Sequence, residues 1–333
     1  MSLLTPPAAP PIDATVIVAS VNGASRLPTI LESLAAADEG PPRTIVVDNG
    51  SADAVVSAAC ERFGFVETIR NPENEGFGRA INRAAALTSS EALVLLNDDC
   101  VCDPGFAASI VGALDPAKGV VMAAGVLRSA GPSSVIDTAG IELDATLLAF
   151  DYLNGEPLSA LEGVLADPVG PCAAAAAYDR ESFIDVGGFD EALFAYWEDV
   201  DLALRLRVAG GLCALVRSAQ GVHAHSATLG PGSARKDYLM GFGRGYVLRK
   251  WGALTPRRLP LILARDLPIC LGQLAFDRTL AGARGRVDGI RAADLRSAYP
   301  AQVLATAPSS SLGATLRRRL ARRRRTKSAL AGN

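Results

Sequence analysis

Aromatic side chains are scarce in this chain of 333 residues, at 5% of the total, which argues against a surface built on stacked rings. Histidine is scarcer still, with His223 and His225 the only two. The six cysteines form no C-x-x-C pair, and Cys100-Val-Cys102 is too tight for the usual zinc spacing. Reduced, mostly buried thiols in a cytosolic protein are therefore expected. No apolar run reaches the length of an uninterrupted membrane-spanning helix. The nearest approach, residues 259–276, is broken by Arg265 and Asp266 and flanked by Pro260 and Pro268, so it is expected to lie on a membrane rather than cross one. The opening MSLLTPPAAPPID lacks the basic-then-apolar order of a signal peptide. Residues 1–11 read as an irregular leader.

Charge is balanced only on average. The formal net charge is −2, but residues 317–333 hold seven Arg and one Lys and no acid, and without those eight charges the chain stands at −10. An acidic body with a polybasic end favours an anionic lipid surface, or nucleic acid, over a neutral partner. No specific nucleic-acid recognition is expected. A solvated, disordered tail over residues 301–333 is the structural alternative.

About half of the residues are hydrophobic, enough for a sizeable core. The first hundred alternate strand and helix patterns. Thr15-Val-Ile-Val-Ala19 suits a strand buried on both faces, and residues 26–37 carry helical apolar spacing. Residues 43–48, 65–69 and 92–97 read as further strands. Ser51 and Asp53 offer caps for a helix through Cys60, and residues 76–87 read as another helix. This alternation indicates an α/β, doubly wound sheet, whose ligands bind outside the carboxyl ends of the strands. Residues 120–143 read as strands and turns, and the sequence does not decide whether residues 144–167 form a mobile loop over the site. A small-residue strand at 170–177, a helix at 198–209 and two short strands ending at His223 follow. From Gly232 the pattern is helical, giving an α/β domain at 12–230 and a helical C-terminal region at 231–300.

Five segments carry chemistry-bearing residues, each with a plain structural reading beside it. Asn97-Asp98-Asp99 closes an apolar strand, and adjacent acids there repel unless a cation compensates. A divalent metal on a diphosphate would do so, whereas a helix cap before Pro104 would not need one. Asp48-Asn49-Gly50-Ser51 places a strand-end carboxylate in a turn, where it can accept from the imide of uracil or thymine or simply form an Asx turn. In Trp197-Glu198-Asp199-Val200-Asp201, helical geometry puts Glu198 and Asp201 on one face and Asp199 on another. Asp201 can pair with Arg205. Asp199 has no such partner and is the candidate general base. His223 can complete a metal shell of carboxylate and phosphate. Gly76-x-Gly78 before a helix can expose backbone N–H groups to an anion, or make an ordinary turn.

In their order and spacing, VVDNGSAD (46–53), NPENEGFGRAIN (71–82), LVLLNDD (93–99), GGFDEALFAYWEDVDLALRL (187–206) and HAHS (223–226) resemble the family 2 glycosyltransferases, especially the bacterial rhamnosyltransferase-like branch. The resemblance implies a GT-A fold, a doubly wound Rossmann-like mixed sheet with a C-terminal helical appendage, and an inverting reaction. By that analogy Asp48, with Asn49, Gly76, Asn97 and Asp98, contacts a dTDP- or UDP-sugar donor. Asp99 and His223 hold Mg2+ or Mn2+, and Asp199 deprotonates the acceptor hydroxyl. Many relatives have Asp-x-Asp where this chain has Asn97-Asp98-Asp99, so metal binding rests on Asp99, with Asp98 in reserve. A lipid-linked or glycan acceptor in cell-envelope synthesis, and a peripheral cytoplasmic place at the inner face of the plasma membrane, are implied too. The alternative from another class is a non-catalytic nucleotide-sugar-binding or scaffolding protein, against which Asp199 counts. A sugar-phosphate nucleotidyltransferase would need a Gly-rich, basic loop near the first strand, which the sequence does not have.

Overall fold

The computed structural model describes residues 13–37, 40–130, 135–164, 166–223 and 233–306. Strands and helices alternate at first: β1 (Ala14–Ser20), α1 (Leu27–Ala35), β2 (Arg43–Asn49), α2 (Val55–Cys60), β3 (Val66–Asn71), α3 (Phe77–Leu87) and β4 (Ala92–Asn97). The middle holds β5 (Cys100–Cys102), α4 (Phe106–Val111), β6 (Val120–Ser129), β7 (Ile136–Thr138), β8 (Ile141–Leu143), β9 (Ala149–Asp151), β10 (Ala175–Asp179) and α5 (Arg180–Asp185). After α6 (Glu198–Val208) and β11 (Leu212–His223) come α7 (Ala234–Lys250), α8 (Leu259–Gly272), α9 (Ala281–Ala292) and α10 (Ala301–Thr306).

The main sheet runs β3-β2-β1-β4-β10-β6-β11-β5, with β7 paired to β6. Its first four strands are mutually parallel. β10 is antiparallel to both β4 and β6, and β11 is parallel to β6. Two reversals restore the original direction, so β6 and β11 end on the same rim as β1, β2 and β4. Ser20, Asp48, Asn97 and His223 are therefore brought to one edge by topology alone.

The strands bury both faces, which is why β1, β2 and β4 read as continuous apolar runs. Ile17, Ile45, Val47, Leu93 and Leu95 pack on the side of α3, α6 and α7. Their neighbours Val16, Val18, Val46, Val94 and Leu96 pack on the side of α1, α2 and α4.

Several local expectations change. The small-residue segment joins the sheet only from Ala175, because residues before it turn along the rim. The two short strands ending at His223 are one strand, irregular between Leu215 and Gln220. Neither Ser51 nor Asp53 caps α2. The Ser51 hydroxyl instead accepts from the Asn22 N–H at 2.8 Å, and Asp53 adopts a left-handed φ of 57°. Within 144–167 the described residues are packed rather than loose: Tyr152, Leu153 and Leu161 join Val126 and Ile136 in a core of their own.

The C-terminal helices are an integral layer. Tyr246, Val247, Leu248 and Trp251 of α7 and its end sit in the core beneath the sheet. α7 and α9 meet closely through Gly241, Gly245, Gly285 and Gly289, where a methyl group would collide with the facing backbone. The helical region extends past residue 300, since Val303 of α10 is buried. The expected domain boundary near 230, the leader at 1–11 and the tail from 307 lie outside the described residues.

Two acids of the motif segments tie this layer down. Lys250 reaches Asp190 at 2.6 Å and Asp201 at 2.8 Å, while the Trp251 indole N–H donates to Asp201 at 3.0 Å. Asp201 also takes Arg205 at 2.8 Å, as its spacing implied. Asp201 and Lys250 are both buried, so removing Asp201 leaves Lys250 with Asp190 alone and takes the acceptor from Arg205 and the Trp251 N–H in a low-dielectric interior. Asp201→Ala is expected to destabilise the fold by about 3–5 kcal/mol, read as a lower midpoint in urea. A midpoint equal to wild type would contradict this anchoring.

Candidate active site

The rim's first feature is Asp48, fully buried at the end of β2 and paired in register with Ser20. One carboxylate oxygen accepts from the Ser51 N–H at 3.0 Å. The other, Oδ2, has Arg70 at 3.6 Å and no hydrogen-bond partner among the described residues. A buried carboxylate oxygen left without a donor is costly unless a ligand supplies one.

Asn49 is placed differently. Its amide donates to Asn74 Oδ1 at 3.1 Å and to the Gly76 carbonyl at 3.0 Å, while its oxygen accepts from Asn71 and the Glu75 N–H. Those four bonds use the full capacity of the side chain, so Asn49 shapes the 71–76 loop. Gly76 caps α3 with φ 91°, a left-handed-side conformation that suits glycine, and a side chain there would strike the Phe194 carbonyl. Its N–H and that of Phe77 are taken by Asn74 and Phe194.

The acids after β4 divide their work. Asn97 closes the strand with its N–H on the Ala174 carbonyl at 3.3 Å. Asp98 is gripped by Arg26, at 3.2 and 2.6 Å, and by the Ser20 hydroxyl at 2.6 Å. Asp99 turns instead to His223, whose Nε2 lies 3.1 Å from Asp99 Oδ1. The other ring nitrogen, Nδ1, lies 2.9 Å from Oδ2 of Asp137 on β7. Burial pulls the imidazole pKa down, but the hydrogen bonds and charges of Asp137 and Asp99 outweigh it and push it up to about 9. Asp99, Cys100 and His223 place one donor atom each within 4.8 Å. Burial and the neighbouring Asp99 charge keep the Cys100 thiol protonated, making it the poorest ligand of the three. His225 lies outside the described residues.

Asp199 enters from the N-terminal turn of α6. The two residues before this helix, Tyr196 and Trp197, adopt φ of 69° and 74°, unfavourable conformations for bulky side chains. Trp197 is wedged against Gly243 and stacks with Arg244, which holds the strained turn in place. The Asp199 carboxylate accepts from the Val200 N–H at 2.8 Å and the Ala173 N–H at 3.4 Å, and no cation pairs with it among the described residues. Burial raises its pKa against the opposing effect of those N–H groups. Its neighbour Glu198 is buried with Oε2 unpaired, and burial together with the Asp199 charge pushes it up to about 8. The Cys172 thiol pKa is raised first by burial and then by the charges of Asp199, Asp151 and Asp137.

Arg26, Asp137 and Glu198 are the residues that sequence reasoning did not assign to the site. Arg26 and Asp137 stand alone in unremarkable segments, and only the fold joins them to Asp98 and His223. Glu198 carried a detectable signal, adjacency to Asp199.

This architecture is shared with glycosyltransferases of known structure. The mannosyltransferase PcManGT from Pyrobaculum calidifontis, solved with GDP-Man and Mn2+, matches with a TM-score of 0.53 at 19% identity, over 91% of this chain and 81% of its own. GalNAc-T7, solved with UDP, GalNAc and Mn2+, matches with a TM-score of 0.57 at 16% identity, over 85% of this chain and 55% of its own. The fold is GT-A, with helices following the mixed sheet. Sequence narrows the class. The model of glycosyl transferase family 2 matches residues 15–150. The N-acetylglucosaminyl-diphospho-decaprenol L-rhamnosyltransferase of Mycobacterium tuberculosis is 31% identical over 248 residues, covering 66% of this chain and 78% of the relative. This chain belongs to glycosyl transferase family 2. A pre-mycofactocin glycosyltransferase of the same organism is 29% identical over 238 residues, 69% of this chain and 46% of the relative.

Proposed function

We propose that this protein is an inverting, metal-dependent glycosyltransferase that moves a sugar from a dTDP- or UDP-sugar to a polyprenyl-linked or glycan acceptor. The observation that carries the reading is Asp199, a buried carboxylate held by the Ala173 and Val200 N–H groups with no cation partner among the described residues, together with the Asp99–His223–Asp137 cluster. An acceptor hydroxyl beside Asp199 would lose its proton to that carboxylate as its oxygen attacks the anomeric carbon. The bond from that carbon to the diphosphate oxygen breaks in line, and the nucleoside diphosphate leaves. The orphaned oxygen of Asp48 suits the imide N–H of uracil or thymine.

Asp99 and His223 fit Mg2+ or Mn2+: one carboxylate and one imidazole form an incomplete shell of the kind a diphosphate completes. Such a cation, when bound, offsets charge on the departing diphosphate. Asp98, held by Arg26 and Ser20, serves the rim's shape instead. Asp137 would orient His223 through Nδ1 so that Nε2 faces the cation. Asp137→Asn is therefore expected to lower Mn2+ affinity about 10–100-fold, measured by titration of free manganese in the absence of donor. Unchanged affinity would remove Asp137 from this role.

The acceptor reading is supported by the name of the mycobacterial relative, whose acceptor is a decaprenol-linked sugar. On that basis the protein acts in cell-envelope polysaccharide synthesis, peripherally at the cytoplasmic face of the membrane, with its polybasic C-terminus toward anionic lipid. Calorimetry with UDP-, dTDP- and GDP-sugars, with and without Mn2+, tests the donor. Metal-dependent binding of one uracil or thymine nucleotide sugar supports the reading. No binding under any condition would favour a protein that keeps the fold without the reaction.

A further inference from the structure

α8 and the π-helical turn that continues it (Gln273–Asp277) are built inside out for a water-facing helix. The segment holds two charged side chains before Asp277, and both are tied to the protein. Arg265 binds Asp144 at 3.2 Å, and Asp266 binds Arg244 at 3.2 Å and Arg286 at 3.4 Å. Ile262 is buried beside them. The opposite face carries Leu259, Leu263, Leu267, Leu271, Leu274 and Phe276, all exposed, with Leu271 at 62% and Phe276 at 86%. The five leucines recur every three or four residues, so they form one stripe, and Phe276 stands at its C-terminal end. An amphipathic helix of a soluble domain points its charges outward and its leucines inward. Contiguous apolar surface of this kind marks a docking face.

We infer that this stripe is the protein's bilayer-docking surface, with α8 lying in the plane of an anionic membrane and its leucines and Phe276 reaching the acyl boundary. Charge at the ends of the stripe selects this occupant. Arg257 precedes it and Arg278 and Arg284 follow it, all exposed, with Asp277 the one acid among them. Arginines flanking an apolar face meet phosphate headgroups at the depth where such a helix lies. The arginine-rich residues 317–333 add attraction of the same sign. A spanning orientation is incompatible with this fold, because it would pull Asp266 and Arg265 from their partners into hydrocarbon. The inference deepens the proposed peripheral attachment and rests on it, but assigns the apolar contribution to α8 rather than to the tail.

Flotation of the full chain with phosphatidylcholine vesicles, with and without phosphatidylglycerol, separates the two ideas. The triple variant Leu267→Gln, Leu271→Gln, Phe276→Gln alters only exposed side chains, so circular dichroism and donor binding should match wild type. Its affinity for mixed vesicles is expected to fall at least about tenfold, from the lost apolar burial. In an otherwise wild-type chain, F276W fluorescence should shift to the blue on vesicle addition. Deleting residues beyond 316 should weaken binding and reduce its salt dependence while leaving that shift. Wild-type binding by the triple variant, with release on tail deletion, would overturn the α8 inference and leave peripheral attachment standing. No binding of wild type to either vesicle would overturn both. Loss of a dimer in the triple variant without lipid would show that a second copy covers the stripe, and would also overturn the inference.

Discussion

Replacing Asp199 by Asn should lower kcat by about 10²–10⁴-fold, the usual contribution of a positioned general base, with donor and Mn2+ affinity close to wild type. The substitution keeps the shape, and an amide oxygen can still accept from the Val200 and Ala173 N–H groups. What it removes is the site that takes the acceptor's proton. The pH profile gives a second reading. Burial raises the Asp199 pKa, so protonation disables it at a pH above the ordinary aspartate range. Activity is therefore expected to fall as pH falls, with its acid limb displaced upward. Glu198, pushed up to about 8, titrates against the same neighbour, so the limb belongs to the pair rather than to either carboxyl alone. In Asp199→Asn the charge that helps raise Glu198 is gone, and its pKa should fall. Rapid-quench measurement of sugar transfer across pH, with acceptor saturating, checks both statements. A variant that turns over at the wild-type rate would move the base elsewhere on the rim.

Much of the N-terminal half was legible because its signals are local. Val16, Ile17 and Val18 form an unbroken apolar run because their strand is covered on both sides, and period alone reveals that. Asp48 and the Asn97-Asp98-Asp99 segment could be placed at strand ends because polar residues that close such a run must lie there. The separate reading of Asp199 and Asp201 followed from 100° per residue and a nearby arginine, and the structure gives Asp201 that arginine. Long-range partners were the illegible part. Nothing within the sequence around Asp137 joins it to His223, 86 residues away, until β7 pairs with β6 and β6 with β11. Arg26 reads as an ordinary residue at a helix start, yet with Ser20 it holds Asp98. The C-terminal helices read as an appendage because their glycines and charges dilute the apolar pattern. Those same glycines permit the close α7–α9 contact, and Lys250 is buried only because Asp190 and Asp201 wait for it.

Asp99→Ala should abolish Mn2+-dependent donor binding, weakening metal affinity by more than about 100-fold, the upper end for loss of a mere outer-shell partner. His223 would then be left with Asp137 alone, and one imidazole is a poor site for either Mg2+ or Mn2+. The wild-type protein should also show a proton cost. Without metal, His223 lies between two carboxylates with a pKa raised from 6.5 to about 9, so it is charged at neutral pH. A cation needs the neutral ring and must displace that proton. Affinity is therefore expected to rise with pH up to about 9, close to tenfold per unit for one proton released, and manganese titrations at several pH values read the slope directly. The fold is expected to show the opposite trend without metal. An imidazole whose pKa is raised by folding stabilises the native state fully below 6.5 and ceases to do so as pH rises through about 9. Metal should then restore stability in that upper range, where it binds best, and thermal unfolding at pH 6 and pH 9 with and without Mn2+ reads this crossing. If manganese stabilises the protein equally at both, His223 is not giving up a proton to it, and the cation rests on Asp99 and the diphosphate alone.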